Sequence, residues 1–377
     1  MLSAESRHQD FPGLEAMTYL NTAAEGIPPR VVGEAIGQYF RDKQLGMDGR
    51  DLHFAQWDAA RSSVGRMFGL SADEVGICSC SSEAYNLAAM ALKLQSGDEV
   101  IINDLDFPAG ATPWLQGDCA ATVRLWQTRN WALHLEDLAA LLGPQTRLVT
   151  TSLVSFYNGF MVPLPELVAL VRERSDALLA VDVTQALGRV PLDLTGVDLV
   201  ISSTHKWILS SHGGGLVGIP SARAQDWVVP AGGWFNQPDA FGPDRFQHVD
   251  NRPGAPGFTV GMPNFMAVYA IQAALTYLES VGVEQIEHAA RPLVDACCQG
   301  LAELPVELLT PLDQATLAGI VAFRHPQAEQ LQTRLRANNI HVMCQAGRMR
   351  IALHGYNTLD DVDKLLTTLK TALAELT

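Results

Sequence analysis

The sequence is poor in cysteine, with six in 377 residues and none spaced as zinc ligands are. A small secreted domain held together by disulfides would need a far higher density. A low density of cysteine in a long chain is typical of free thiols in a reducing compartment. We therefore expect a cytoplasmic protein without a zinc module.

Long apolar runs are also absent, since none approaches the roughly 20 residues that span a bilayer. The first residues, Met1 to Phe11, are polar and lack the apolar core of a signal peptide. Basic residues are scarce, because 26 Lys and Arg face 41 Asp and Glu, giving a net charge of −15. The field of such a chain repels phosphate, so we expect no nucleic-acid or membrane partner.

Short apolar runs alternate with amphipathic segments from about residue 75 onward. This alternation predicts an α/β fold, a mostly parallel sheet flanked by helices on both faces. Beyond residue 265 the pattern changes to that of a smaller α+β domain. The predicted strands of the large sheet are Val75–Ile77, Val100–Ile102, Ala121–Leu125, Arg147–Leu153, Leu178–Val183, Leu199–Ser202 and Gly215–Ile219.

Polar residues follow two of these apolar runs, where α/β proteins present functional groups. Asp182 ends one run, Gln185 lies three residues on, and Lys206 follows the next run. An enzyme that uses pyridoxal 5′-phosphate (PLP) needs a lysine for the Schiff base and an acid beside the pyridine nitrogen. Lys206 and Asp182 match these two needs, and Gln185 could donate to the ring oxygen.

The same cofactor needs donors for its phosphate and a plane against its ring. Ser81 and Ser82 lie between a strand and a helix pattern, where a natural N-cap and free N–H groups form an anion site. Ser203 and His205 could complete that site. Phe107 follows another apolar run and offers its ring for stacking.

These residues resemble, in order and spacing, the class V aminotransferase family of fold-type I PLP enzymes. That family includes cysteine desulfurases, cystine C–S lyase, kynureninase and isopenicillin N epimerase-like proteins. The resemblance covers nearly the whole chain and rests on Tyr19-Leu-Asn-Thr-Ala-Ala24, Ser81-Ser-Glu-Ala-Tyr-Asn86, Asp106-Phe-Pro, Asp182-Val-Thr-Gln185, Ser203-Thr-His-Lys206, Gly261-Met-Pro-Asn264 and Arg350-Ile-Ala-Leu-His-Gly-Tyr-Asn357.

The resemblance implies a fold-type I enzyme with a seven-stranded sheet. It divides the chain into an N-terminal segment, 1–18, that packs with the small domain, a large PLP-binding domain, 19–265, and a small C-terminal α+β domain, 266–377. Family members are usually homodimers with the active site at the interface.

The resemblance also assigns roles to residues. Lys206 is the Schiff-base lysine and proton shuttle, Asp182 the pyridinium partner, and Gln185 the contact to the ring oxygen. Arg350 matches the arginine that binds the substrate α-carboxylate. The phosphate is held by Ser81, Ser82, Ser203 and His205, and Asn264 is expected to contribute from the turn that usually reaches the partner's phosphate.

Three departures from the family bear on the reaction. Phe107 stands where desulfurases stack a histidine, and Met262 removes a phosphate hydroxyl from the usual Gly-Thr-Pro turn. Cys344 lies only six residues before Arg350, on what reads as a strand or tight turn. We therefore expect Cys344 to be structural and persulfide chemistry to be disfavoured.

We expect an aminotransferase acting on an α-amino acid, with α,β-elimination at a C–S bond as the alternative and epimerisation third. A PLP fold without turnover is disfavoured by the intact lysine, aspartate and arginine. A nucleotide-binding protein is disfavoured because the Gly213–Gly215 run lacks the required spacing. Pocket candidates are Tyr157, Asn158, His212, Trp234, Phe235, His354 and the aromatic stretch from Trp234 to Phe246, within the Gly- and Pro-rich loop at 230–263.

Overall fold

Seven apolar segments form one central sheet, as the alternation predicts. The computed structural model describes residues 1–376. The sheet has the order β2-β8-β7-β6-β5-β3-β4, and only β8 runs antiparallel to its neighbours. Except for the edge strand Thr122–Trp126, of which only Trp126 is buried, its strands are buried along almost their whole length because helices cover both faces. After β1 (Thr18–Tyr19), they are β2 (Val75–Cys78), β3 (Glu99–Asn103), β4 (Thr122–Trp126), β5 (Thr146–Ser152), β6 (Leu178–Asp182), β7 (Leu199–Ser203) and β8 (Gly215–Gly218).

Eleven α-helices lie within residues 1–376, and the strand–helix alternation does not predict the first three. The third of them buries one stripe through Trp57, Ala60, Val64 and Phe68, at the spacing of one helix face. The helices are α1 (Ala4–Asp10), α2 (Arg30–Lys43), α3 (Arg50–Phe68), α4 (Ser81–Leu92), α5 (Pro108–Ala111), α6 (Leu135–Ala139), α7 (Leu164–Arg174), α8 (Phe265–Val281), α9 (Val283–Ala302), α10 (Ala328–Ala337) and α11 (Leu359–Leu376).

A second, antiparallel sheet follows α9 and has the order β12-β13-β10-β9. Alternate residues of its central strands, such as Phe323 and Ile351, pack on a hydrophobic cluster with α9, α10 and α11. Because side chains alternate along a strand, Arg350 lies on the opposite face. The strands are β9 (Glu307–Leu308), β10 (Ile320–Arg324), β11 (Ile340–His341), β12 (Met343–Gln345) and β13 (Arg348–Ala352); β11 lies outside this sheet.

The segment from Thr18 to Gly26 links the two sheets. Its β1 pairs in parallel with β11, and Asn21 forms a bridge to Ala352 at the end of β13. The Gly26 N–H then donates to the His205 carbonyl oxygen at 2.8 Å. A Cβ at position 26 would lie 2.0 Å from the Lys206 carbonyl oxygen, so only glycine fits there.

The division of the chain at residues 18 and 265 stays a prediction. The fold class itself is confirmed: a mostly parallel seven-stranded sheet flanked by helices, followed by a smaller α+β unit.

The loop at 230–263 contains one short 3₁₀ helix, Ala255–Phe258, and leaves Phe241 and Phe246 largely exposed, at 79% and 88%. Trp234 and Phe235 line a cavity of about 430 Å³ beside α3. Among residues 1–376, no single helix has the length and apolarity to cross a membrane. By those criteria α8 and α9 pass only as a pair, bent by 74°.

Candidate active site

A cavity of about 210 Å³ lies at the carboxyl ends of β6 and β7 and the N-terminus of α4. Parallel strands bring their carboxyl ends to one edge of a sheet, which is why these sequence-distant residues meet. Eight of the ten predicted site residues line this cavity: Ser81, Ser82, Phe107, Asp182, Gln185, Ser203, His205 and Lys206. Arg350 and Asn264 are not in its lining.

Lys206 lies in the turn after β7, with its ammonium nitrogen 5.2 Å from the centre of the Phe107 ring. Burial lowers the pKa of Lys206 to about 8, although the nearby Asp182 carboxylate opposes that shift. A lysine with this pKa is partly neutral near physiological pH. It can therefore act as a nucleophile toward an aldehyde.

This lowered pKa predicts how PLP attaches to the cofactor-free protein. Below about pH 8, most Lys206 is protonated, so the attachment rate is expected to rise about tenfold per pH unit and level off above that pH. Rapid mixing of apo-protein with PLP at a series of pH values measures the midpoint. A midpoint near the ordinary lysine value of about 10.4 would contradict the prediction.

Asp182 has one carboxylate oxygen held by the Thr184 N–H at 2.7 Å and the other by the Tyr85 hydroxyl at 3.2 Å. Protein surrounds the group except at its cavity edge. Burial raises the pKa of Asp182, while the Thr184 N–H, Lys206 and Tyr85 each lower it. A carboxylate so placed fits the partner of a protonated pyridine nitrogen. The sequence reasoning assigned no role to Tyr85.

Gln185 is fixed by two contacts that orient its amide. Its side-chain oxygen accepts from the Trp207 indole N–H at 2.6 Å, and its nitrogen donates to the Ala23 carbonyl oxygen at 3.2 Å. An amide nitrogen has two hydrogens, so one remains for a ligand. The arrangement fits the predicted contact to a ring oxygen. Trp207 was not predicted, although it directly follows Lys206.

The phosphate end of the cavity is the N-terminus of α4. Its N-cap is Cys80, whose sulfur accepts from the Glu83 N–H at 3.4 Å. The prediction that Ser81 or Ser82 caps the helix is wrong. Because the preceding residue takes that role, both serine hydroxyls lack hydrogen-bond partners among residues 1–376. Free hydroxyls and N–H groups at a helix N-terminus fit a phosphate.

His205 and Ser203 lie at the edge of this phosphate end. The His205 ring stacks on that of His212 with centroids 4.3 Å apart. Burial, and after it the charges of Lys206 and His212, lower the pKa of His205 to about 4. His205 is therefore neutral at physiological pH and can donate one hydrogen bond. The Ser203 N–H is held by the Thr184 hydroxyl at 2.9 Å.

Arg350 is 4% exposed on β13, facing the large sheet. One terminal nitrogen donates to the Phe156 carbonyl oxygen at 2.9 Å, and its Nε has no partner among the described residues. No carboxylate forms an ion pair with it within residues 1–376. Burial lowers the pKa of Arg350 to about 9, with Arg348 adding to the effect. A buried cation with an unpaired N–H fits an anionic substrate group.

Asn264 does not line the cavity of its own chain. Its side-chain oxygen caps α8 by accepting from the Ala267 N–H at 3.3 Å. With Met262 it lines a neighbouring cavity of about 270 Å³, and Gly213 lines both. Within a single chain Asn264 therefore does not reach the phosphate end of the cavity, and its expected contribution to the partner's phosphate stays a prediction.

The remaining candidates are scattered. Cys344 lies on β12 opposite Met349, and its side chain packs on the hydrophobic cluster of the second sheet. Of the pocket candidates only His212 lines the cavity. The others lie elsewhere: Tyr157 and Asn158 after β5, His354 behind Trp207, and Trp234 and Phe235 beside α3.

Known proteins resemble this chain along nearly its whole length. The family model described as aminotransferase class-V matches residues 18–365. An uncharacterized aminotransferase, YcbU of Bacillus subtilis, is 26% identical over 362 residues, which cover 95% of each chain. A probable cysteine desulfurase of Pasteurella multocida is 27% identical over 398 residues, covering 97% of this chain and 92% of that protein.

Solved structures share the fold. The apo cysteine desulfurase of Thermococcus onnurineus NA1 superposes with a TM-score of 0.90 at 21% identity, over 100% of both chains. A complex of the cystine C–S lyase C-DES with its product cysteine persulfide gives 0.87 at 23% identity, over 95% of this chain and 98% of that one.

The comparisons correct the expectation about persulfide chemistry. Persulfide chemistry was expected to be disfavoured, yet the matched relatives include cysteine desulfurases over nearly the full length. The spacing of one thiol before Arg350 was too narrow a basis for that inference. The family and cofactor predictions are confirmed: the chain belongs to the class V aminotransferase family and is a PLP-dependent enzyme.

Proposed function

We propose that this enzyme breaks the C–S bond of a cysteine-like amino acid, with cysteine desulfurase activity as the first candidate. The observation that carries the proposal is the full-length match to curated cysteine desulfurases, 26–27% identical. A site with one buried, unpaired arginine beside a lysine of lowered pKa supports an α-amino acid substrate.

In this proposal Arg350 binds the substrate carboxylate through its bidentate fork. Lys206 holds the cofactor and then moves the proton at the substrate Cα. Bound PLP supplies an electron sink at Cα, and Asp182 keeps the ring nitrogen protonated. Phe107, which lines the cavity, offers its ring for stacking on the cofactor. A desulfurase then transfers sulfur to a thiol, so that L-cysteine and R–SH give L-alanine and R–SSH.

The deciding experiment supplies L-cysteine and a reducing thiol to the PLP-loaded enzyme and measures four products. Alanine with an equal amount of sulfide is expected for a desulfurase. Pyruvate, ammonia and sulfide in equal amounts would mean α,β-elimination, in which hydrogen sulfide is lost and one water hydrolyses the resulting imine to pyruvate and ammonia. If no sulfide is released from cysteine or cystine, the C–S proposal is wrong.

Transamination is the second candidate, favoured by the match to a protein named as an aminotransferase. It predicts a different outcome in the absence of a keto acid. One equivalent of keto acid would form, and the cofactor would stay in its amine form. A panel of amino acids, each mixed with the enzyme alone, distinguishes this single turnover from continued release.

Two thiols are candidates to accept sulfur. Cys80 is exposed and lines the cavity, and Cys344 is half-buried on the strand beside Arg350. Cys80→Ala and Cys344→Ala test them, with the distant Cys119→Ala as the matched control. Loss of alanine formation in one variant, with cofactor binding retained, would identify the acceptor.

We also propose a homodimer. Four large apolar side chains of the 230–263 loop are exposed, Trp234, Phe241, Phe246 and Met262, and Asn264 sits beside Gly213 at the cavity's edge. A second chain covering this region would bury them, as large exposed apolar side chains favour. Sedimentation of the holoenzyme measures the state, and a monomer at assay concentration would contradict the proposal.

A further inference from the structure

Tyr85 is a buried tyrosine on α4 that contacts Asp182 and is not itself in the cavity lining. It is 2% exposed, and its hydroxyl lies 3.2 Å from the Asp182 oxygen that the backbone does not hold. Burial, and after it the charges of Asp182 and Asp106, raise the pKa of Tyr85 well above its usual range. Tyr85 therefore keeps its proton and can serve as a donor.

Asp106 is the other carboxyl group near this hydroxyl, and it already has its own donors. The Ser152 N–H donates to one oxygen at 2.7 Å and the Asn103 side chain to the other at 2.9 Å. The acceptor of the Tyr85 hydrogen bond is Asp182. Tyr85 and the Thr184 N–H thus hold one carboxylate oxygen each and fix its plane.

Opposing effects act on the Asp182 charge. Burial favours the neutral acid, whereas Thr184, Lys206 and Tyr85 favour the carboxylate. A neutral Asp182 could not balance a positive charge on a ring nitrogen. The hydrogen bonds to Asp182 therefore determine whether this residue is ionised and the ring nitrogen protonated. Removing one donor shifts that arrangement toward a protonated Asp182 and an uncharged ring.

We propose that Tyr85 is a positioning residue for the cofactor: its hydroxyl keeps Asp182 ionised and aimed at the ring nitrogen. The inference rests on the proposed role of Asp182 as the ring partner. It makes no assumption about which bond of the substrate breaks. Tyr85 acts through Asp182 and touches neither substrate nor cofactor.

The test is the protonation of the ring nitrogen, read from the NMR shift of ¹⁵N-labelled PLP in the loaded enzyme. In Tyr85→Phe the shift is expected to move toward that of an uncharged pyridine at the same pH. Loss of this hydrogen bond to a charged group is expected to lower kcat on the order of 10- to 100-fold. KM should change little, because Arg350 is untouched.

Tyr269→Phe is the matched control. Tyr269 is also 2% exposed and donates to a carboxylate, Asp42, at 2.7 Å, but neither residue lines the cavity. Both variants lose one buried tyrosine–aspartate hydrogen bond, so a general loss of stability affects both. Only Tyr85→Phe should move the nitrogen signal.

The outcomes separate the inference from its premise. An unchanged signal and unchanged kcat in Tyr85→Phe, with a clear change in Asp182→Asn, would overturn the role of Tyr85 alone. If Asp182→Asn changes neither the signal nor the retention of PLP, the site assignment itself is wrong. If the ¹⁵N signal shifts equally in Tyr85→Phe and Tyr269→Phe, the change reflects a general loss of stability, and the inference is rejected.

Discussion

Lys206→Ala is expected to lose the absorbance of the lysine-bound cofactor and at least about 10³-fold in kcat. In the proposed function, the variant removes both the amine that attaches the cofactor and the group that moves the Cα proton. No other lysine lines the cavity among the described residues. The cofactor spectrum after dialysis and the rate with L-cysteine measure the two losses.

Lys370→Ala is the matched control, since Lys370 is an exposed residue on α11, outside the cavity lining. It should keep both the spectrum and the rate. Reduction of the loaded enzyme with borohydride, followed by peptide mapping, identifies the modified lysine directly. Persistence of the absorbance in Lys206→Ala, or a label on another lysine, would remove Lys206 from its role.

Arg350→Ala is expected to raise KM for amino acids by about 30- to 150-fold, which corresponds to about 2–3 kcal/mol. The guanidinium is buried and has an unpaired N–H, so a substrate carboxylate would meet it with little competing water. Arg350→Lys keeps the charge but loses the fork, and an intermediate KM is expected. Steady-state rates over a range of substrate concentrations separate KM from kcat.

Arg324 supplies the comparison, because it lies on the adjacent strand and its guanidinium is half-exposed. Arg324→Ala removes one cation from the same sheet without touching Arg350. Its KM should stay within a few-fold of the parent enzyme. An unchanged KM in Arg350→Ala would mean that the carboxylate binds elsewhere.

Much of the fold could be predicted because it depends on local patterns. All seven predicted strands of the large sheet form, each within two residues of its expected ends. An apolar run between turn residues has few alternatives in an α/β chain. The residues at the ends of β6 and β7 were predicted to meet for the same reason, since parallel strands share an edge.

The misses depend on contacts that no local pattern contains. Cys80, not a serine, caps α4, which frees both hydroxyls for the cavity. The motif around Asn264 likewise does not show that this residue caps α8 and lines a different cavity of its own chain. The importance of Tyr85 appears only when α4 packs on the sheet and the Tyr85 hydroxyl reaches Asp182 at the end of β6. The sequence around a residue does not show which distant residue its side chain contacts in the folded protein.

The reaction was the hardest part to predict from motifs alone. Desulfurase chemistry was expected to be disfavoured because Cys344 lies close to Arg350 along the chain. Similarity summed over almost the whole length points to desulfurases as relatives. One thiol's spacing constrains a single loop, whereas full-length similarity reflects many positions at once.

The segment from Thr18 to Gly26 directly connects the sheet that carries Arg350 with the turn that carries Lys206. It is bonded at one end to the strands beside Arg350 and at the other to the backbone next to Lys206. In the proposed function, a carboxylate bound at Arg350 and a cofactor held on Lys206 are therefore connected by one continuous stretch of backbone, the nine residues from Thr18 to Gly26. A side chain at residue 26, where there is no room for even a methyl group, is expected to displace the turn that carries Lys206.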